Sequence, residues 1–145
     1  MLELLRELTD EAFDFVRVPW DSSSPIDSVL ESTVRYFDFF EHNRSLFGIL
    51  IELAPTDPEV AEIGARSRER FYARIAHSLE RGIDEGVLRP DLDVTVAAEM
   101  LGSMSEFYAF QRFVLARSPV APVPIAEAAK TLATVWLEGV RLSSL

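Results

Sequence analysis

The chain has no cysteine. Disulfide scaffolds, thiolate metal sites and thiol nucleophiles are thereby excluded. Histidine is nearly as scarce, with only His42 and His77. Phe39 and Arg74 stand three residues before them, so the Glu-x-x-His pattern of di-iron bundles is missing. No histidine pair has zincin spacing, and there is no P-loop and no Gly-x-Ser-x-Gly. His77 and Ser78 are adjacent in a helical pattern, where neighbours in sequence do not face one another. Glu99 and Glu106 are seven apart and share a helix face, which suits a solvated or interface role better than acid–base work. The expectation is a non-enzyme with no catalytic residue, no metal and no cofactor.

Long apolar runs are also missing. No uncharged stretch approaches the roughly 18 residues needed to span a bilayer. Met1 is followed at once by Glu3, Arg6 and Glu7, without the basic start and apolar centre of a signal peptide. A cytoplasmic protein with no membrane partner is expected. Basic charge is short too, with 14 basic against 24 acidic residues and a net charge of −10. That field repels phosphate backbones and anionic lipid, so direct DNA binding by this chain is not expected. The 145 residues fit one domain, 1–145. A domain of that size buries roughly 68–70% of its unfolded surface.

Strand alternation is absent; helical spacing is everywhere. Residues 1–17 carry Leu2, Leu5, Leu8, Ala12, Phe13 and Val16. Pro19 to Pro25 is a loop, with Ser24 as N-cap and Pro25 at the first helical position. A second helix runs from about Pro25 to Glu41, and a short apolar one from Leu46 to Leu53. Thr56 and Glu59 have capping-box spacing ahead of a long helix, about Pro58 to Glu85. An Ala- and Met-rich helix occupies 93–117, and a last one about Ile125 to Leu142. The fold class is all-α, a bundle of about six helices.

Gly82-Ile83-Asp84-Glu85-Gly86-Val87-Leu88-Arg89-Pro90-Asp91-Leu92-Asp93 punctuates the two longest patterns. Gly86 can take φ > 0 and close the helix before it. Val87 and Leu88 can fold back on its last turn. Pro90 prevents continuation, and Asp93 can cap the next helix. A helix ending in Gly-x-x-x-Gly-x-Leu-Arg-x-Asp-x-Asp, followed by an Ala-rich helix, resembles the regulatory half of TetR-type repressors. Phe39 to Phe47 resembles that family's helix bend, and Asp57-Pro58-Glu59 the start of its long helix. Ile125 to Val140 resembles its terminal dimerisation helix. The resemblance spans about residues 1–142. In the family a helix-turn-helix DNA-binding domain precedes a helix like 1–17, and no such segment is present in this sequence. What the resemblance implies is a ligand-sensing and dimerisation domain, a small apolar or aromatic effector, and DNA contact only through an N-terminal domain. The alternatives are a helical-bundle enzyme or cofactor-binding protein, and an interaction module without a cavity.

Two groups of residues follow from this reading. Aromatics recur on several helices and can line one apolar cavity or simply fill the core. The candidate ligand residues are Phe13, Tyr36, Phe37, Phe40, Phe71, Tyr72, Ile75, Met104, Phe107, Tyr108 and Gln111. Small residues on the last two helices allow close approach of another helix, within the chain or between copies. The resemblance favours copies, as a twofold dimer joined by a four-helix bundle. The candidate interface residues are Ala97, Leu101, Gly102, Ser105, Ala129, Leu132, Ala133 and Trp136.

Overall fold

In the structure, a computed structural model, residues 1–142 are described. Six helices follow in order: α1 (Leu2–Phe15), α2 (Pro25–His42), α3 (Arg44–Leu53), α4 (Pro58–Asp84), α5 (Val94–Phe113) and α6 (Ile125–Val140). The all-α class and the helix count are those expected from periodicity. The single-domain reading of 1–145 extends over 143–145, which lie outside the described residues.

Helix ends follow local chemistry, and two of the departures from the sequence reading have a clear local cause. Asp57, not Thr56, caps α4: its Oδ1 accepts from the backbone N–H of Glu59 at 3.0 Å and of Val60 at 3.3 Å. A carboxylate at that position also complements the positive helix end. The Thr56 hydroxyl instead donates back to the Leu53 carbonyl. The second departure is α5, which stops at Phe113 rather than near residue 117. There the Leu115 N–H bonds the Phe110 carbonyl, and Pro119 disfavours helix just before it. Asp93 caps α5 as expected, accepting from Val96 N–H at 3.2 Å.

The corner after α4 is built by Gly82 and Gly86. Gly86 has φ of +78°, the left-handed region that closes a helix. The N–H groups of both Val87 and Leu88 turn back onto the Gly82 carbonyl, at 2.9 and 3.1 Å. The chain then pairs with the end of α6: Arg89 N–H donates to Val140 O, and Leu142 N–H to Val87 O. Leu88 is driven so close to α4 that a Cβ at Gly82 would sit 2.5 Å from its Cδ1 and 3.0 Å from the Trp20 ring. Alanine in a helix interior gains about 1 kcal/mol over glycine, but overpacking costs about 1–3 kcal/mol. Gly82→Ala is therefore expected to lose about 1 kcal/mol net, measured by urea unfolding. A stabilised variant would show that the corner yields freely.

α2 is the central helix, packing on α6, α5, α1 and α3, while α4 packs on α5, α1 and α3. The buried side chains form two clusters rather than one. The first gathers Leu5, Leu8 and Ala12 of α1, Phe37 and Phe40 of α2, and Phe47 and Leu50 of α3, with Val60, Ile63, Ala109, Ala128 and Ala129. The second joins Val29 and Leu79 to Leu88, Ala98 and Leu101, with Ala133, Trp136, Leu137 and Val140 of α6. No helix among the described residues is long and apolar enough to cross a membrane.

Candidate functional site

A cavity of about 150 Å³ lies between the two halves of the core. Ala12, Phe40, Phe47 and Leu50 reach it from the first cluster, and Val29, Leu79, Leu101 and Trp136 from the second. Tyr36 of α2 stands tilted against Phe40, with centroids 5.9 Å apart, and edge-on to Phe71 of α4 at 6.2 Å. Tyr72 lies across Gly102 of α5. A Cβ there would sit 2.3 Å from its Cε1, so only glycine lets the ring lie in this wall.

Five of the candidate ligand residues come together here: Tyr36, Phe40, Phe71, Tyr72 and Ile75. The other six sit elsewhere. Phe37 is fully buried, packed against Tyr108 at 5.3 Å. Phe13 lies outside the cavity beneath two guanidiniums, Arg70 at 4.2 Å and Arg74 at 3.9 Å. Met104 and Phe107 are exposed on α5, Phe107 at 61%. Gln111 is half-buried away from the cavity. The candidate interface residues divide as well. Leu101, Gly102, Ser105 and Trp136 line the cavity. Ala97, Ala129 and Ala133 are buried within the chain, and Leu132 packs between the two clusters.

The polar end of the cavity departs from the sequence reading, which gives Glu106 a solvated or interface role and Arg68 no role. Arg68 of α4 and Glu106 of α5 both line it and form a two-pronged pair. Arg68 Nε donates to Oε1 at 3.0 Å and Oε2 at 3.2 Å, and Nη2 to Oε1 at 2.8 Å. Both side chains keep about a third of their surface open, 36% and 34%. The signal was the helical register. Gly64, Arg68, Tyr72, Ile75 and Leu79 repeat at spacings of three and four, and Leu101/Ser105 and Gly102/Glu106 are each four apart.

Burial pushes the Tyr36 hydroxyl well above its ordinary range. Nearby Glu106 adds to that, while Arg68 opposes it. Tyr36 is therefore a neutral phenol at any working pH. Arg74 also lines the cavity, and its Nη1 donates to the Phe13 carbonyl at 2.6 Å. Burial, then the neighbouring Arg17 and Arg70 charges, lower its pKa to about 10. One cavity wall is thus tied to the C-terminal part of α1. His42 and His77 are exposed and outside the cavity. Among the described residues no group of three His, Cys, Asp or Glu is placed to hold a metal.

Neither a protein-family model nor a curated protein sequence matches the chain. Solved structures do. A protein assigned to the TetR-family transcriptional regulators, from Syntrophomonas wolfei, superposes with a TM-score of 0.69 at 16% identity, over 93% of this chain and 67% of that one. The ketosteroid transcriptional regulator KstR2 of Mycobacterium tuberculosis gives 0.68 at 21%, over 98% and 71%. The TetR family transcriptional regulator PfmR of Thermus thermophilus gives 0.68 at 20%, over 94% and 75%.

The chain has the TetR-regulator fold.

Within that fold all six helices contribute to the cavity lining, and α1 is the helix bonded to its wall through Arg74. A quarter to a third of each neighbour's chain lies outside the superposition.

Proposed function

We propose that this chain is the effector-binding and dimerisation part of a TetR-type transcriptional regulator, working in the cytoplasm and without catalysis. The observation that carries the reading is the cavity between the core halves, mostly apolar and polar at one end. Ligand sites have that composition. The effector is a small apolar or aromatic molecule. On binding it favours one arrangement of α4 against α1, through the Arg74 bond and the Phe13 stack. The change passes to a DNA-binding domain outside these residues. Such coupling requires different affinities for two arrangements.

Pairing of two copies is proposed through α5 and α6. α5 carries apolar side chains on both its inward and its outward side. Ala97, Ala98, Leu101 and Ala109 face inward, while Val96, Met100, Met104 and Phe107 remain exposed. Val135 of α6 is exposed at 64%. A helix with exposed apolar side chains opposite its buried face has a second face to bury.

Native mass spectrometry of the purified chain reads both halves of the proposal, the dimer mass and any carried small molecule. Ser105→Phe is the control. It places one phenyl ring in a cavity of the size that holds one benzene, so carried ligand and ligand-induced thermal stabilisation should be lost while the dimer persists. If the variant binds every ligand as the parent does, the effector site is not this cavity.

A further inference from the structure

The polar end of the cavity carries a statement about ligand chemistry that the apolar walls do not, and it rests on the ligand-cavity reading above. The Arg68–Glu106 pair cancels its own charge, and both partners line the cavity and keep about a third of their side-chain surface open. A guanidinium has five N–H donors. Glu106 engages one on Nε and one on Nη2, which leaves the Nη1 edge unspent. Neither the Tyr36 nor the Tyr72 hydroxyl bonds another described residue. No side-chain polar atom is both buried and unpaired among those residues, so the two hydroxyls keep some accessible surface, and both residues line the cavity. The Ser105 hydroxyl, by contrast, is spent on the Leu101 carbonyl at 2.9 Å.

We infer that the cavity takes an uncharged molecule about the size of one aromatic ring, with a single hydroxyl or carbonyl oxygen held by Tyr36, Tyr72 and the free edge of Arg68. Size follows from volume, since a dry cavity of about 150 Å³ holds one benzene. Neutrality follows from the ion pair. A carboxylate would meet Glu106 and an ammonium would meet Arg68, while the guanidinium of Arg74, the other charged lining residue, is committed to the Phe13 ring and carbonyl; either ion would add an unpaired charge among mostly apolar walls. The oxygen follows from the open hydroxyls. A wholly apolar guest strips water from them and leaves them without partners, the situation in which a site rejects the analogue that lacks the polar group. The mutual electrostatic influence of Tyr36, Tyr72, Arg68 and Glu106 places the four in one neighbourhood.

Four ring-sized probes separate these statements: phenol, toluene, benzoate and benzylamine, titrated calorimetrically into the purified chain at pH 7. Phenol is expected to bind at least tenfold tighter than each of the others. Toluene binding as tightly as phenol overturns the oxygen, and benzoate or benzylamine binding tightest overturns neutrality. Failure of all four to bind overturns the ligand-cavity reading itself along with this one. Glu106→Gln leaves Arg68 unpaired, so benzoate should gain at least tenfold in that variant. A folded Glu106→Gln with unchanged benzoate affinity overturns the role of the pair. If circular dichroism shows that variant unfolded, Tyr36→Phe serves instead. It should weaken phenol several-fold and leave toluene unchanged, and equal losses for both probes overturn the assignment.

Discussion

Phe37→Ala is expected to cost about 3–5 kcal/mol, the usual loss for truncating a buried phenylalanine. For a chain of this length that lowers Tm by roughly 10 °C or more. Phe37 has no exposed surface and packs between Tyr36 and Tyr108. It joins α2 to α5 on the side away from the cavity, so nothing flexible is at hand to fill the gap. Phe107→Ala is the matched comparison. The residue type is the same, but Phe107 is 61% exposed, and surface changes usually fall within about 0.5 kcal/mol. Unfolding in urea at low protein concentration, where pairing of copies is minimised, checks both. Equal losses would mean that the burial pattern of α5 is inverted.

The same pair shows how far the sequence was legible. Helix number, the corner at Gly86 and the Asp93 cap all rest on local chemistry, which a single segment carries. Which face of α5 points inward does not. Phe107 and Tyr108 are neighbours of equal aromatic character, and α5 carries apolar residues on opposite sides, so periodicity has little contrast to read. The small residues of α6 were ambiguous for a related reason. Ala129 and Ala133 do admit a close helix, but α2 of the same chain packs on that helix. Arg68 and Glu106 were legible as positions on a helix face. Their meeting depends on a sequence separation of 38 and on the packing of α4 against α5. Thr56 lost the α4 cap to Asp57 because two cap-competent side chains adjoin, and the carboxylate is the stronger acceptor.

Met100→Asp combined with Phe107→Asp is expected to turn a dimer into a monomer at micromolar concentration in sedimentation velocity. Both side chains are about 60% exposed, so the isolated fold should lose little, and helicity by circular dichroism should be unchanged. The assembled state is affected differently. A twofold interface presents each substitution on both copies, which places four carboxylates in or near one contact between chains that already carry −10 each. Each unpaired carboxylate buried there costs several kcal/mol. Even a fraction of that total exceeds the 2.7 kcal/mol or so that separates hundredfold affinities. Ala129→Asp is the informative contrast. Ala129 has no exposed surface and belongs to the first core cluster, so the carboxylate should unfold the chain rather than separate its copies. A double variant that remains a dimer would place the interface away from this face of α5, and a monomeric parent chain would remove pairing from the proposal altogether. If Ala129→Asp instead gives a folded monomer, the small residues of α6 face a second copy, as the sequence pattern alone allows.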